Sequence, residues 1–184
     1  RLNKKIADLP PEQVRGRAAA EITKTLAAER DHAAQRLQKG MRSERYQHLM
    51  LLLRGWRTAP PLSEAAAAKD QASVTYVDKA KGKADKRLRK AKGDIERLHR
   101  ARKATKRARY AAELAEPVDG QMKDVARDAE ELQTLLGEHQ DAIVAANFLA
   151  GISSSNGEKS GFTYGVLMAN ELNRAAEIRA SLTS

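Results

Sequence analysis

The chain has 184 residues, a formal net charge of +10, no cysteine, 32% charged residues and only 4% aromatics. Its length suits a single domain, the missing cysteines exclude disulfides and thiolate chemistry, and no apolar run approaches the roughly 20 residues that cross a bilayer. Abundant Ala, few Gly and Pro and no β-branched runs predict an all-α fold.

Residues 11–38 predict a first helix, opened by Pro11 and Glu12 after Leu9-Pro10 and ended by Gly40. Val14, Ala18, Ile22, Leu26 and Ala33 form its expected buried side. Ser43 is the expected N-cap of a second helix whose apolar side is Tyr46, Leu49, Met50 and Leu53, closed by Pro60 and Pro61. Trp56, between Arg54 and Arg57, is expected to cap the end of a helical core, with stacking on a nucleic-acid base as the alternative. Residues 62–92 predict a long helix with Val74, Val77, Ala80, Ala84, Leu88 and Ala91 as its seam. On its far side Lys79, Lys83, Lys86 and Lys90 recur at helical spacing, a stripe of cations. Gly93-Asp94 breaks this helix, and Asp94 is placed to cap the next one.

That next helix carries the most informative stretch. Ala101, Ala104, Ala108, Ala111 and Ala115 repeat at spacings of 3 and 4, a small-residue seam that packs closely. His99, Arg102, Lys103, Lys106, Arg107 and Tyr110 fall on the opposite side, as a row of cations roughly 5–6 Å apart. Over 119–150, Met122, Val125, Ala129, Leu132, Leu136, His139, Ile143, Ala146 and Ala150 repeat as 3 and 4, a bundle seam. Ser153 through Gly157 reads as a flexible loop. A last helix over 162–182 has Val166, Leu167, Ala169, Leu172, Ala176 and Ile178 apolar. The sum is an antiparallel helical bundle of long helices.

Charge is unevenly placed. Residues 79–109 hold 15 Lys or Arg against Asp85, Asp94 and Glu96, so this segment carries +12 and the remainder −2. A basic face kept for solubility would mix signs, whereas a concentrated patch calls for a polyanionic partner. Glu138, His139 and Asp141 lack the i, i+4 pair of a zinc helix, so no metal site is expected, and a buried, hydrogen-bonded His139 is the reading. Gly137 is expected to allow close helix approach. His32 and His48 are isolated, Glu29 and Asp31 flank Arg30 as ordinary surface, and no phosphate loop, catalytic triad or carboxylate pair can be read. No catalysis and no cofactor are therefore expected. The Ala side opposite the cations offers little apolar area to a bilayer.

Two motifs carry a resemblance. Leu98-His99-Arg100-Ala101-Arg102-Lys103 continues into Lys106-Arg107-Ala108-Arg109-Tyr110, and a later helix reads Leu132-Gln133-Thr134-Leu135-Leu136-Gly137, ending at Asp141. In this order the segments resemble the CHAD family, the conserved histidine α-helical domain. The resemblance implies two related helical bundles, with 1–61 the remainder of the first and 62–184 the second, within one domain. The chain starts at Arg1 without Met and lacks a first copy of the basic motif, so an N-terminally trimmed domain is expected. The resemblance further implies non-enzymatic binding of inorganic polyphosphate, in the cytoplasm and at polyphosphate granules. It assigns the ligand-facing positions to His99, Arg102, Lys103, Lys106, Arg107 and Tyr110. A polyanion favours protonated His99, so binding is expected to tighten as pH falls towards about 6. The competing expectation is sequence-nonspecific nucleic-acid binding by the same stripes.

Overall fold

The structure, a computed structural model, describes residues 2–63, 71–155 and 158–182. Among the described residues are α1 (Leu2–Ala7), a 3-10 turn (Pro11–Gln13), α2 (Ala18–Met41), α3 (Glu44–Thr58), α4 (Gln71–Ala91), α5 (Ile95–Ala115), α6 (Met122–Ser155) and α7 (Glu158–Ser181), with no strand. The all-α expectation holds. The chain divides into two units, residues 1–68 with 156–163, and residues 69–155 with 164–184.

In the first unit α1 buries Leu2 and Ile6 and packs on α2, which buries Ala18 and Ile22. Asn3 Nδ2 donates to Thr23 Oγ1 across the pair at 2.7 Å. The helix expected from Pro11 starts seven residues later, because Pro11–Gln13 close only a 3-10 turn and Gly16 takes φ +67. A Cβ at Gly16 would lie 2.5 Å from Ser160 Oγ. Side chains satisfy the backbone of this loop: Arg15 N–H donates to Thr163 Oγ1 at 2.7 Å, and Arg17 N–H to Ser160 Oγ at 3.2 Å. The Thr163 hydroxyl donates in turn to Gln13 O at 2.8 Å. At the far end α2 runs through Gly40 to Met41. Ser43 caps α3 as expected, accepting the Tyr46 N–H at 3.3 Å and donating to Gly40 O at 2.6 Å.

The expected core of this unit is largely open. Val14, Leu26, Leu49, Leu53 and Trp56 are exposed, as is Ala33, while Tyr46 and Met50 are half-buried. The cause is geometric. α1 has six residues, roughly 9 Å of helix, and covers only the first turns of α2. Trp56 therefore caps no core in this unit.

The second unit is built on an alanine seam. Ala84 of α4 meets Ala104 and Ala108 of α5; Val77 meets Ala111, Ala112, Ala115 and Met122; and Ala91 meets Leu98, Ala101 and Leu136 of α6. Small side chains let the axes approach at the short end of the usual range, about 8 Å. Burial of Val77, Leu98 and Leu136 contributes about 1.5–3 kcal/mol each. In the predicted α4 seam Val77, Ala84 and Ala91 are buried, and Val74, Ala80 and Leu88 half-buried. Leu62 and Ser63, expected to be helical, are not, and 64–70 lie outside the described residues. Lys92 (φ 44) and Gly93 (φ 79) form the sharp turn into α5, and Asp94 caps it by accepting the Arg97 N–H at 2.7 Å.

α6 buries Met122, Leu136, His139 and Ala146 of its predicted seam, with Ala142, Leu149 and Ile152 besides. Ala150 is exposed. Ser153–Ser155 continue the helix, so the loop expected from Ser153 does not begin there; Asn156 and Gly157 lie outside the described residues. α7 buries Tyr164, Leu167, Ala175 and Ile178, whereas Ala169, Leu172 and Ala176, expected to be apolar contacts, are exposed.

Candidate polyanion interface

No acid stands between Glu96 and Glu113 on α5, and its alanines fix how the cations there are distributed. With Ala101, Ala104, Ala108, Ala111, Ala112 and Ala115 turned into the core, the single row read from the sequence separates into three directions.

The first direction is towards α6. Arg102 is half-buried, its Nε enclosed without a hydrogen-bond partner. It runs against Gly137, where a Cβ would lie 3.6 Å from that Nε. Arg102 thus packs on Gly137 at ordinary van der Waals distance, a contact that links the two motifs of the sequence. Arg109 is committed here too, with Nε 2.7 Å from Glu113 and Nη1 3.1 Å from Glu130. The Glu113 hydrogen bond, then the charges of Glu113 and Glu130, raise its guanidinium further above its ordinary range.

The second direction is outward. Lys103 and Lys106 are exposed, and among the described residues neither makes an ion pair. Lys106 Nζ stands 5.4 Å from the centre of the Tyr110 ring, with the Arg109 guanidinium 5.6 Å from the same centre. Tyr110 therefore steadies cations here. His99 is half-buried with Nδ1 enclosed and unpartnered. It borders an open hollow of about 640 Å³ with Asp94, Glu96, Gln140 and Arg179, a mixed-charge setting rather than the in-line cation expected.

The third direction is towards α4, where Tyr76, Arg87, Arg97 and Arg100, which the sequence reading passed over, join Arg107 and the expected stripe residues Lys79, Lys83 and Lys90. Arg107 lines a cavity of about 200 Å³ with Tyr76, Lys79, Lys83 and Arg87. A neighbouring cavity of about 400 Å³ is lined by Arg87, Lys90, Arg97 and Arg100. Arg87 and Lys86 both sit at helical spacing from Lys83 and Lys90, so spacing alone does not choose between them; packing puts Arg87 at both cavities and leaves Lys86 exposed and outside them.

His139 is buried, as read, but its Nε2 has no hydrogen-bond partner, which corrects the expected satisfied histidine. Burial first, and the charge of Arg179 second, lower its pKa. Glu138 pairs with Arg174 at 2.9 Å. Among the described residues no group of three His, Cys, Asp or Glu is placed to hold a metal ion, and no helix is long and apolar enough to cross a membrane.

The pattern of the CHAD domain family matches residues 1–150. Two proteins from two strains of Mycobacterium tuberculosis, both described as uncharacterized, are 32% identical to the chain over 200 residues. The match covers 99% of this chain and 36% of each relative, so the chain spans about a third of their length. No solved structure matches the chain.

Proposed function

The chain belongs to the CHAD domain family, a family associated with polyphosphate binding, and from that premise we propose that its second unit binds inorganic polyphosphate without turning it over. The observation that carries this reading is the acid-free run of α5 beside α4, with Lys103, Lys106, Arg107, Lys79 and Lys83 exposed. Polyphosphate bears charge on every phosphate and offers no base to read, so recognition reduces to charge and hydrogen bonds. Arginines supply forked contacts to phosphate oxygens, and the lysines supply mobile point charges. His99, Arg102, Lys103, Lys106, Arg107 and Tyr110 are the positions assigned by family likeness. Lys103, Lys106 and Arg107 are the exposed cations among them, whereas Arg102 is in part enclosed against α6. In the cell such a module serves targeting to polyphosphate granules or their organisation. The competing ligand is nucleic acid, which gains less here because aromatics for base stacking make up only 4% of the chain.

A competition titration tests this. Long-chain polyphosphate and double-stranded DNA each displace a labelled polyanion at about 150 mM salt and matched phosphate concentration. The expected result is a preference for polyphosphate of roughly tenfold or more, with log affinity falling against log salt by about 0.7 per phosphate neutralised. Equal or better displacement by DNA refutes the reading, and turnover of polyphosphate by the purified chain refutes its non-catalytic part.

A further inference from the structure

The cations of α4 and α5 do not only face outward; they also face each other. α4 ends at Ala91 and α5 begins at Ile95, so the two helices form a tight hairpin. Across it Lys79 and Lys83 stand opposite Arg107, and Arg87 and Lys90 opposite Arg97 and Arg100. Arg87 belongs to both cavities and joins them into one groove. The more buried residues of the narrower part are the small Ala80 and Ala104, and the exposed Tyr76 also lines it. Among the described residues no Asp or Glu lines either part. Asp94 contacts the groove residue Arg97 only at its backbone N–H; among the described residues the ion pair made by a lining side chain is the loose Arg100–Glu96 pair at 3.8 Å, between two exposed side chains, which competes weakly with a ligand.

Two arginines are held in place. Arg97 Nη1 donates to Lys90 O at 3.3 Å, and Arg87 Nη1 to Arg100 O at 3.4 Å. Each bond uses one of five guanidinium donors and leaves the rest for a ligand. From Lys79 to Lys90 the groove runs about 16 Å at the helical rise.

We infer that this α4–α5 groove is the principal phosphate track, and that it selects a single narrow polyanion chain over a duplex. The inference rests on the polyphosphate reading and places its ligand between the two helices rather than along the outward row of α5. A slim chain lowered onto Ala80 and Ala104 meets cations from both sides at once. A duplex is too broad to enter and meets only the rim, and the outward pair Lys103 and Lys106 offers one side only.

The test compares two charge reversals of equal size. One is Lys79→Glu with Lys83→Glu in the groove, the other Lys103→Glu with Lys106→Glu on the outward face. All four lysines are exposed, and circular dichroism verifies that both variants keep the helical fold. Each variant and the parent chain are titrated with long-chain polyphosphate and with duplex DNA at about 150 mM salt. The expected result is a polyphosphate affinity at least tenfold lower for the groove variant than for the outward variant, with the two variants alike towards DNA. Equal polyphosphate losses, or a larger loss from the outward variant, overturn the groove while leaving the polyphosphate reading intact. A parent chain that prefers DNA removes the reading beneath the inference and the inference with it.

Discussion

Gly93 fixes the α4–α5 turn and thereby the alignment of the two cation rows, and Gly93→Ala measures how firmly. Its φ of +79 lies where an L side chain costs about 1–2 kcal/mol. The added Cβ would also stand 2.9 Å from Arg179 Cδ and 3.6 Å from Cγ. That atom belongs to a flexible side chain, so relief comes by a rotamer change of about 0.5–1.5 kcal/mol. Together they predict a loss of about 2 kcal/mol, or roughly 4–8 °C in melting temperature for a chain of this size. Gly82 supplies the control. It lies within α4, and a Cβ there meets nothing within 4 Å. Gly82→Ala therefore gains about 0.5–1 kcal/mol from reduced backbone freedom. Thermal melts followed by far-UV circular dichroism read both. A Gly93→Ala variant that melts at or above the parent temperature, or a Gly82→Ala variant that loses stability, refutes the reasoning.

Two further outcomes follow from the same unit. The pKa of His139 is lowered on folding, so the unfolded chain binds the extra proton first. The stability this site contributes is complete above the ordinary histidine value of 6.5 and is lost as pH falls below it, by at most about 1.4 kcal/mol per pH unit. Urea midpoints taken from pH 7.5 to 5.5, roughly one unit either side of that value, should fall in the parent chain and flatten in His139→Leu; parallel profiles in the two proteins would disprove this. Asp94→Ala removes the α5 cap, in which the carboxylate accepts the Arg97 N–H at 2.7 Å, and should cost about 1 kcal/mol, again read as a urea midpoint. An unchanged midpoint would show that the cap contributes nothing.

Much of the second unit was legible in the sequence, because its signals are local. The Ala101–Ala115 spacing, the Gly93-Asp94 break and the Met122–Ala150 seam are helical periodicities and turn chemistry, and each is where it was read except at Ala150, which is exposed. The CHAD motifs were legible for the same reason, since a motif is itself a local pattern. The first unit shows the limit. Leu49 and Leu53 fall at apolar spacing, yet periodicity names a face without saying whether anything covers it, and here both are exposed. Tertiary structure alone decided three matters at the site. It turned Arg102 onto Gly137, a contact between residues 35 positions apart in the chain. It committed Arg109 to Glu113 and Glu130. It also chose Arg87 over Lys86 for the groove, because a helix turns 100° per residue and only the packing of α4 on α5 determines which adjacent cation faces its neighbour. The sequence by itself determined the all-α class, the charge and the family; which cations share a surface depended on how the helices packed.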